Sequence, residues 1–337
     1  MGRRLAFLSW HVESAFSDNV PWGARALARP PFSLYPSGKG QMAGIELTPV
    51  NVFTRSPMSQ FTRSRWFYPV YDGVWFVGLG ALWIALEVSG FRGLVPEWED
   101  LSLVHLALFP LVLYGLILCN VFAHNVSHRN FPRPINRLVG EIVGAFVLTR
   151  YASWEIIHLR HHKYSDDPEK DPHDCRPGFW LNFLPHFVTN VERQLQQSFY
   201  EIHGGRTPEN VRFQRARSVF SFLTGVLLIM TFYKVLGAPF FLAVFLPAEI
   251  LTIIHLAHFN WATHNGASPD GDYHPINIDS GLFWLGNRIF FGIYYHQNHH
   301  HTVTAFNPMH LQIAETRLVS EGGALSPIAT LSEQRQS

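Results

Sequence analysis

Four long apolar runs constrain the fold of this 337-residue chain more than any other feature. They cover residues 69–89, 102–123, 219–236 and 238–259. Each is close to the roughly 20 residues that an α-helix needs to cross the hydrocarbon core of a bilayer. The sequence therefore predicts an all-α integral membrane protein with four transmembrane helices.

The basic residues predict the orientation of these spans. Of the 26 Lys and Arg residues, only Arg92 and Lys234 lie in the two short loops that would share one side of the membrane. Cytoplasmic loops carry the excess of positive charge in membrane proteins. We therefore expect both termini and the large loop at 124–218 in the cytoplasm, and the pattern does not distinguish a bacterial inner membrane from the endoplasmic reticulum.

Net charge and cysteine content argue against two other classes of protein. The net charge is only +1, with no cluster of Lys and Arg of the kind that binds phosphates, so we expect no nucleic-acid partner. Two cysteines, Cys119 and Cys175, cannot form a four-cysteine iron–sulfur site. We interpret both as packing residues.

The segments outside the apolar runs predict three domains. Residues 1–65 form an N-terminal cytoplasmic arm that is partly disordered, residues 66–318 form the membrane domain, and residues 319–337 form a flexible tail. Within the membrane domain, we expect one interfacial or cytosol-facing helix at 138–157 and an amphipathic segment at 179–217. These segments would form a cytoplasmic helical cap over the spans.

Histidine clusters follow the second and fourth apolar runs. The second run continues into HxxxH at 124–128 without a Pro after Pro110, so its helix is expected to carry both histidines out of the membrane. HxxHH occurs at 158–162 and at 296–300, and NxxxH occurs at 260–264. The spans three and four meet at Leu-Gly-Ala-Pro, which predicts a tight hairpin.

These clusters indicate a metal centre, because residues three and four apart share one face of a helix. They supply nine histidines, which is too many for one ion, since a zinc ion takes four ligands. The sequence therefore predicts two metals with four or five nitrogens each, although imidazole suits zinc, copper, iron and nickel alike. The nine are His124, His128, His158, His161, His162, His264, His296, His299 and His300.

The order of the three histidine boxes, and their placement after spans two and four, resembles the membrane fatty-acid desaturase and hydroxylase superfamily. The resemblance covers roughly residues 66–310. It implies two iron ions held by the nine histidines, with Asn260 touching one iron directly or through water. It also places Trp154, four residues before His158, in the wall of an acyl tunnel. Three residues separate the histidines of the first box, as in acyl-lipid desaturases and many hydroxylases, whereas animal acyl-CoA desaturases usually have four.

The resemblance implies an enzyme that oxidises an acyl chain with O₂ and two external electrons. The substrate would slide from the membrane lipids into an apolar tunnel that excludes water. The chain contains neither a GxGxxG fingerprint nor an HPGG haem motif. We therefore expect a separate electron donor, which would be a ferredoxin, a rubredoxin, or cytochrome b5 with its reductase.

Other polar residues are weaker candidates. Glu249, His255 and His258 lie within or near the fourth run and are predicted to line the tunnel. A metal-bound imidazole usually donates its second N–H to a carboxylate, and we favour Asp167 and Asp171 for this role. Capping of helices or exposure to water explains each carboxylate as well. The remaining candidates for the same role are Asp166, Glu155 and Asp272.

Desaturation is the favoured activity, and three alternatives stay open. The same scaffold serves lipid, alkane or carotenoid hydroxylation and the decarboxylation of a fatty acid to a terminal alkene. The position of the substrate carbon decides between these outcomes, and box spacing does not report it. A metal-ion transporter with a histidine-rich loop is a more distant alternative, because it would place ligands at mid-membrane rather than beyond the spans.

Overall fold

The computed structural model describes residues 64–267, 273–311, 313, 317–319 and 329–330. The predicted N-terminal arm and C-terminal tail lie almost entirely outside these residues. Within them the protein is mostly helical, as predicted. The principal helices are α1 Phe67–Val88, α2 Phe109–Ser127, α3 Arg133–Phe146, α4 Tyr151–Tyr164, α5 Leu184–Ile202, α6 Pro208–Leu236, α7 Leu246–Thr263, α8 Gly281–Ile289 and α9 His296–His301.

Short elements connect these helices. Single α- or 3₁₀-turns lie at Trp98–Asp100, Leu103–Ala107, Ala238–Phe240 and Pro308–His310, and π-helical turns at Phe179–Phe183 and Phe241–Phe245 precede α5 and α7. The strands are very short: β1 Gly266–Ala267, β2 Tyr273–His274, β3 Asn277–Ile278, β4 Arg317–Val319 and β5 Ala329–Thr330. Strand β1 pairs antiparallel with β2, while β4 pairs parallel with β3 and antiparallel with β5.

Four helical segments are long and apolar enough to cross a membrane, which confirms the predicted number of spans. They are Phe67–Val88, Leu103–Ser127, Pro208–Leu236 and Ala238–Thr263. The third begins well before residue 219, because Thr207 caps a polar first part of α6 in which Asn210 and Gln214 are buried. An apolar run marks the part of a helix that suits lipid and not the point where the helix begins.

The single helix predicted at 138–157 is wrong, because the chain turns between α3 and α4. Leu148 adopts a left-handed conformation with φ 49°. Gly144 makes this turn possible, since a Cβ there would lie 2.8 Å from the Thr149 carbonyl oxygen. The amphipathic segment predicted at 179–217 is likewise divided between α5 and the start of α6 by a turn after Ile202.

The predicted hairpin between the last two spans is present at Gly237. This residue has φ +81°, and a Cβ on it would lie 1.9 Å from the Val95 carbonyl oxygen. Only glycine combines this backbone conformation with such a close approach. The hairpin therefore joins spans three and four with no intervening domain.

A buried ion pair fastens the first and third spans to the turn before α4. Asp72 on α1 is fully buried and accepts a hydrogen bond of 2.5 Å from Arg150. Ser221 on α6 donates to the same carboxylate at 2.5 Å. A buried carboxylate is tolerated when it is paired and hydrogen-bonded in this way. The contact fixes the start of α4, which carries the second histidine box.

Candidate metal centre

Four helices bring the histidine boxes together at one end of the spans. Helix α2 packs against α4 and α7, and α7 ends at His264, its C-cap residue. The first box lies at the C-terminal end of α2, the second in the last turns of α4, and the third forms α9. Histidines that are up to 176 positions apart in sequence (124 to 300) therefore share one site.

The nine histidines divide into two groups, and within each group the candidate ligand nitrogens lie within 4.8 Å of one another. We call them the five-histidine group and the four-histidine group. The five-histidine group contains His124, His128, His158, His162 and His299. The four-histidine group contains His161, His264, His296 and His300.

Each HxxHH box contributes to both groups. In α4 the first and last histidines belong to the five-histidine group, while His161 belongs to the other. In α9 the assignment is reversed, because His296 and His300 join the four-histidine group and His299 joins the other. The reason is helical geometry: residues four apart project on one face, and the adjacent residue is turned by about 100°.

The distances between ring nitrogens fit a transition metal. The Nε2 atoms of His128 and His158 are 2.7 Å apart, and those of His162 and His299 are 3.1 Å apart. In the four-histidine group, the Nε2 atoms of His296 and His300 are 3.2 Å apart. Imidazoles bound at ~2.1 Å to one ion would have neighbouring nitrogens ~3.0 to 3.4 Å apart.

Buried nitrogens without a partner support the same interpretation. The Nε2 atoms of His124, His161 and His264 are buried and have no hydrogen-bond partner among the described residues. Buried polar atoms are normally satisfied, so such atoms at one place need an explanation. A metal ion in each group would accept these lone pairs, and the residues present therefore fit two metals.

Two carboxylates hold histidines of the four-histidine group from behind. Asp171 lies 2.9 Å from Nδ1 of His161, and Asp166 lies 3.0 Å from Nδ1 of His264. This contact places the proton on Nδ1 and leaves the Nε2 lone pair for a metal. Asp171 also accepts the backbone N–H groups of Asp166 at 2.7 Å and of His173 at 2.8 Å.

Asp166 adopts the left-handed conformation, with φ 62°. Non-glycine residues seldom do so, although Asp is one of the more tolerant types. Two contacts stabilise this conformation: the Asp166 N–H donates to Asp171, and the Asp166 carboxylate contacts His264. The loop 165–171 is therefore shaped around the two histidines that it contacts.

Burial keeps most of the ring nitrogens neutral. It lowers the pKa of five histidines outside the spans, and repulsion from neighbouring imidazoles lowers it further; these are His158, His162, His296, His299 and His300. Burial opposes a charge on His161 too, but the Asp171 carboxylate outweighs it and raises the pKa of His161. Although burial opposes its charge, contact with His161 lowers the pKa of Asp171 to about 2, so this carboxylate is ionised near neutral pH.

The other predicted carboxylates lie elsewhere. Asp167 is partly exposed, accepts the N–H groups of Glu169 and Lys170, and forms an ion pair with Lys170. Glu155 accepts a hydrogen bond from Arg137. Asp272 lies outside the described residues. Asp166, and not its neighbour Asp167, contacts a histidine of the centre. The left-handed backbone conformation of Asp166 turns its carboxylate toward His264.

A largely apolar cavity adjoins both groups. Its wall includes His124, His158 and His299 of the five-histidine group and His296 of the other. The apolar residues around it include Ile117, Val121, Leu256, Phe259, Phe290, Phe291, Ile293 and Phe306. The cavity extends from the two histidine groups toward the spans.

Besides these histidines, the predicted residues Trp154, His255 and Asn260 line this cavity, whereas Glu249 and His258 do not. Trp154 stacks on His158 with ring centroids 5.4 Å apart, and Asn260 and His255 complete the wall beside it. Glu249 is buried in α7 but lies outside this wall. His258 also lies outside it and packs among aromatic rings, with Phe283 stacked at 6.2 Å.

Sequence reasoning missed two residues at this site. Asn120 lines the cavity one helical turn before His124. Its spacing of four residues from His124, which places both on one face of α2, could have indicated this position. His173 is buried against His161, with ring centroids 5.8 Å apart, and neither of its ring nitrogens has a partner among the described residues. No spacing distinguished His173 from a surface histidine.

Comparisons with known proteins identify the family. The sequence profile described as "Fatty acid desaturase" matches residues 100–305. The sn-1 stearoyl-lipid 9-desaturase of Synechocystis sp. is 24% identical over 64% of this chain and 66% of its own length, just under two thirds. The Delta-9 acyl-lipid desaturase 2 of Arabidopsis thaliana is 24% identical over 74% of this chain and 80% of its own length.

A third relative, the chloroplastic palmitoyl-monogalactosyldiacylglycerol delta-7 desaturase of Arabidopsis thaliana, is 23% identical over 66% of this chain and 59% of its own length. No solved structure matches the chain. The family profile covers more than half of the 337 residues and includes all three histidine boxes. With four apolar helices and this profile match, the chain belongs to the fatty acid desaturase family of membrane oxidoreductases.

Proposed function

We propose that the protein is a membrane-bound di-iron enzyme that uses O₂ and two external electrons to desaturate a lipid acyl chain. The observation that carries this proposal is the pair of histidine groups, five and four, beside one apolar cavity. In the balanced reaction, –CH₂–CH₂– + O₂ + 2e⁻ + 2H⁺ gives –CH=CH– + 2H₂O. Two C–H bonds break, and O₂ is reduced to water.

The nine histidines would hold two irons, one in each group. Neutral imidazole is a suitable ligand for iron, and the low pKa values of the buried rings favour the neutral form. When bound, the two irons would supply the redox chemistry that activates O₂. Asn260 and His296 line the same cavity, and the Asn260 carboxamide would contact one iron directly or through water.

The carboxylates of the loop 165–171 would orient two of these ligands. Asp171 and Asp166 hold the Nδ1 protons of His161 and His264, so that both Nε2 atoms point to one place. Carboxylate partners of this kind also make the imidazole more basic. Their role is to position the histidines, and neither carboxylate needs to contact the substrate.

The cavity would bind the acyl chain and exclude water from the reacting carbon. Its wall joins apolar side chains such as Ile117 and Phe259 to the histidines of both groups. Trp154 covers His158 and would narrow the passage beside the five-histidine group. A strong oxidant in a dry cavity attacks the bound chain in preference to solvent.

Electrons and location complete the proposal. The chain has no nucleotide-binding or haem-binding fingerprint, so a ferredoxin, a rubredoxin or cytochrome b5 with its reductase would deliver the two electrons. The distribution of Lys and Arg supports a cytoplasmic position for the histidine centre and for both termini. The donor would therefore act on the cytoplasmic face.

Two observations favour desaturation over hydroxylation, decarboxylation or metal transport. The relatives named above are acyl-lipid desaturases, and the family profile includes the boxes that build the site. The placement of the histidines at the ends of α2 and α7, rather than in the middle of the spans, also favours an oxidoreductase over a transporter.

The test combines metal analysis with lipid analysis. The full-length protein, expressed in membranes and purified in detergent, should contain two irons per chain, and lipids from the expressing cells should gain a double bond. His161→Ala should lower the iron content and abolish the new lipid without preventing membrane insertion. His105→Ala is a matched control, because His105 belongs to neither histidine group and its Nδ1 atom accepts from the Ser102 N–H group.

Three results would contradict the proposal. Stoichiometric zinc instead of iron would favour the transporter. Unchanged product from the His161→Ala variant would remove the metal role of that residue. A hydroxylated lipid or a terminal alkene, in place of a double bond within the chain, would assign a different reaction to the same centre.

A further inference from the structure

Two polar residues of the cavity wall are not explained by metal binding. Asn120 on α2 and His255 on α7 line the same cavity, and these two helices pack against each other. Asn120 is one turn before His124, and His255 is five residues before Asn260. Both therefore lie on the membrane side of the histidines, among Ile117, Val121, Leu256 and Phe290.

The Asn120 carboxamide has no hydrogen-bond partner among the described residues. Asn125, in the same wall, shows the ordinary arrangement: it donates to the Val121 carbonyl at 3.0 Å and accepts from Asn130 at 2.8 Å. When a methylene chain displaces water from a polar group and offers no hydrogen bond in return, the contact costs free energy. Asn120 is thus an unfavourable residue for a purely hydrocarbon ligand.

His255 offers a donor to the same space. The Tyr294 hydroxyl lies 3.1 Å from its Nε2 atom and has no other acceptor among the described residues. With no other acceptor among the described residues, this hydroxyl donates its hydrogen bond to Nε2. The remaining proton of His255 is then on Nδ1, which has no partner within the described part of the protein.

The position of Tyr294 is fixed by close packing. A Cβ on Gly286 would lie 2.5 Å from the Tyr294 ring, so only glycine allows the ring to approach α8. The Tyr294 ring also contacts Phe259 and Phe283. Because the ring is held on several sides, the orientation of His255 is set by the fold before a ligand enters.

We propose that Asn120 and His255 form a subsite for an oxygen atom of the substrate, close to the carbon that is oxidised. The inference rests on the proposed function and names its substrate class: acyl chains that carry an oxygen at this depth. A hydroxyl satisfies the subsite best, because it accepts from His255 and donates to the Asn120 carbonyl. The carbonyl oxygen of the acyl ester is the second source of the same chemistry, since it accepts from both side chains.

Binding of matched ligands to the purified full-length protein tests the subsite. Octadecanoic acid and a series of hydroxyoctadecanoic acids, with the hydroxyl at successive carbons, compete with a fluorescent polyene fatty acid. We expect one hydroxyl position to bind about tenfold more tightly than the parent acid, as one added hydrogen bond allows. Methyl octadecanoate against octadecane tests the ester carbonyl as the source of the oxygen.

Two variants connect the preference to the named residues. In Asn120→Leu the tenfold preference should fall to about onefold, while the parent acid should bind more tightly because the carboxamide is no longer desolvated. This variant breaks no hydrogen bond of the protein, because the carboxamide has no partner among the described residues. His255→Phe should reduce the preference likewise, whereas Val121→Leu changes the same wall without a polar atom and should retain it.

Equal binding of all oxygenated ligands and their parents would overturn the subsite, as would an equal loss of both in Asn120→Leu. These outcomes differ from a failure of the proposed function. If no acyl chain is desaturated, the proposed function fails although the binding preference stands. If plain chains are desaturated and no oxygenated ligand is preferred, the proposed function stands and the subsite does not.

Discussion

The two histidine groups offer the same ligand chemistry but are held in different ways. In the five-histidine group the rings pack on one another, with the His128 ring centroid 4.7 Å from those of His158 and His299. In the four-histidine group the carboxylates of the loop 165–171 hold His161 and His264 from behind. One group therefore depends mainly on helix packing, and the other depends also on the conformation of a loop.

The largest expected difference comes from removing one ligand from each group. His264→Ala leaves three imidazoles in its group, whereas His162→Ala leaves four in the other. We expect His264→Ala to retain about one iron of two and to lose desaturation by more than ~100-fold, because four ligands tolerate a loss less well than five. Elemental analysis of the purified variants measures the iron content. Equal loss of iron in both variants would remove the distinction between the groups.

A smaller effect is expected from the loop alone. Asp171→Asn keeps the shape of the side chain but removes the charge that orients His161, so iron affinity should fall by ~10- to 100-fold. Asp167→Asn is the matched control, since Asp167 contacts Glu169 and Lys170 instead of a histidine, and its iron affinity should stay within about twofold. Competition with a chelator measures the iron affinity of both variants. An identical response of the two variants would mean that Asp171 does not position His161.

The smallest effect should come from a histidine that belongs to neither group. His258 lies outside the cavity wall and packs against Phe179 and Phe283. His258→Phe keeps an aromatic ring at this place, so desaturation and iron content should change by less than about twofold. Lipid mass spectrometry of expressing cells checks this. A large loss of product would give His258 the tunnel role that its position in the sequence suggested.

The spans and the set of histidines that the fold brings together were accessible from the sequence. Apolar runs identify spans because contact with lipid requires apolar side chains. The first box was expected at the end of α2 because no proline follows Pro110 in that run. Nine histidines in four spaced motifs pointed to two groups of four or five, and the structure brings these residues together in such groups.

Details that depend on local backbone were not accessible. The turn at Leu148 depends on the close approach of Gly144 to Thr149, and the sequence of that segment reads as one helix. Asp166 rather than Asp167 meets His264 because Asp166 adopts a left-handed conformation. Glu249 and His258 were expected in the tunnel, but periodicity along one helix does not say which face meets the cavity.

The sharing of both HxxHH boxes between the two groups has a mechanical consequence. His161 and His162 are neighbours in the chain and serve different groups, so the spacing between two bound ions would depend directly on the geometry of α4 and α9. Insertion of one residue between His158 and His161 would turn the following rings by about 100° and mismatch both pockets at once. Single substitutions in the wall would therefore change the shape of the substrate cavity. The separation of the two ions would change only if α4 or α9 moved as a whole.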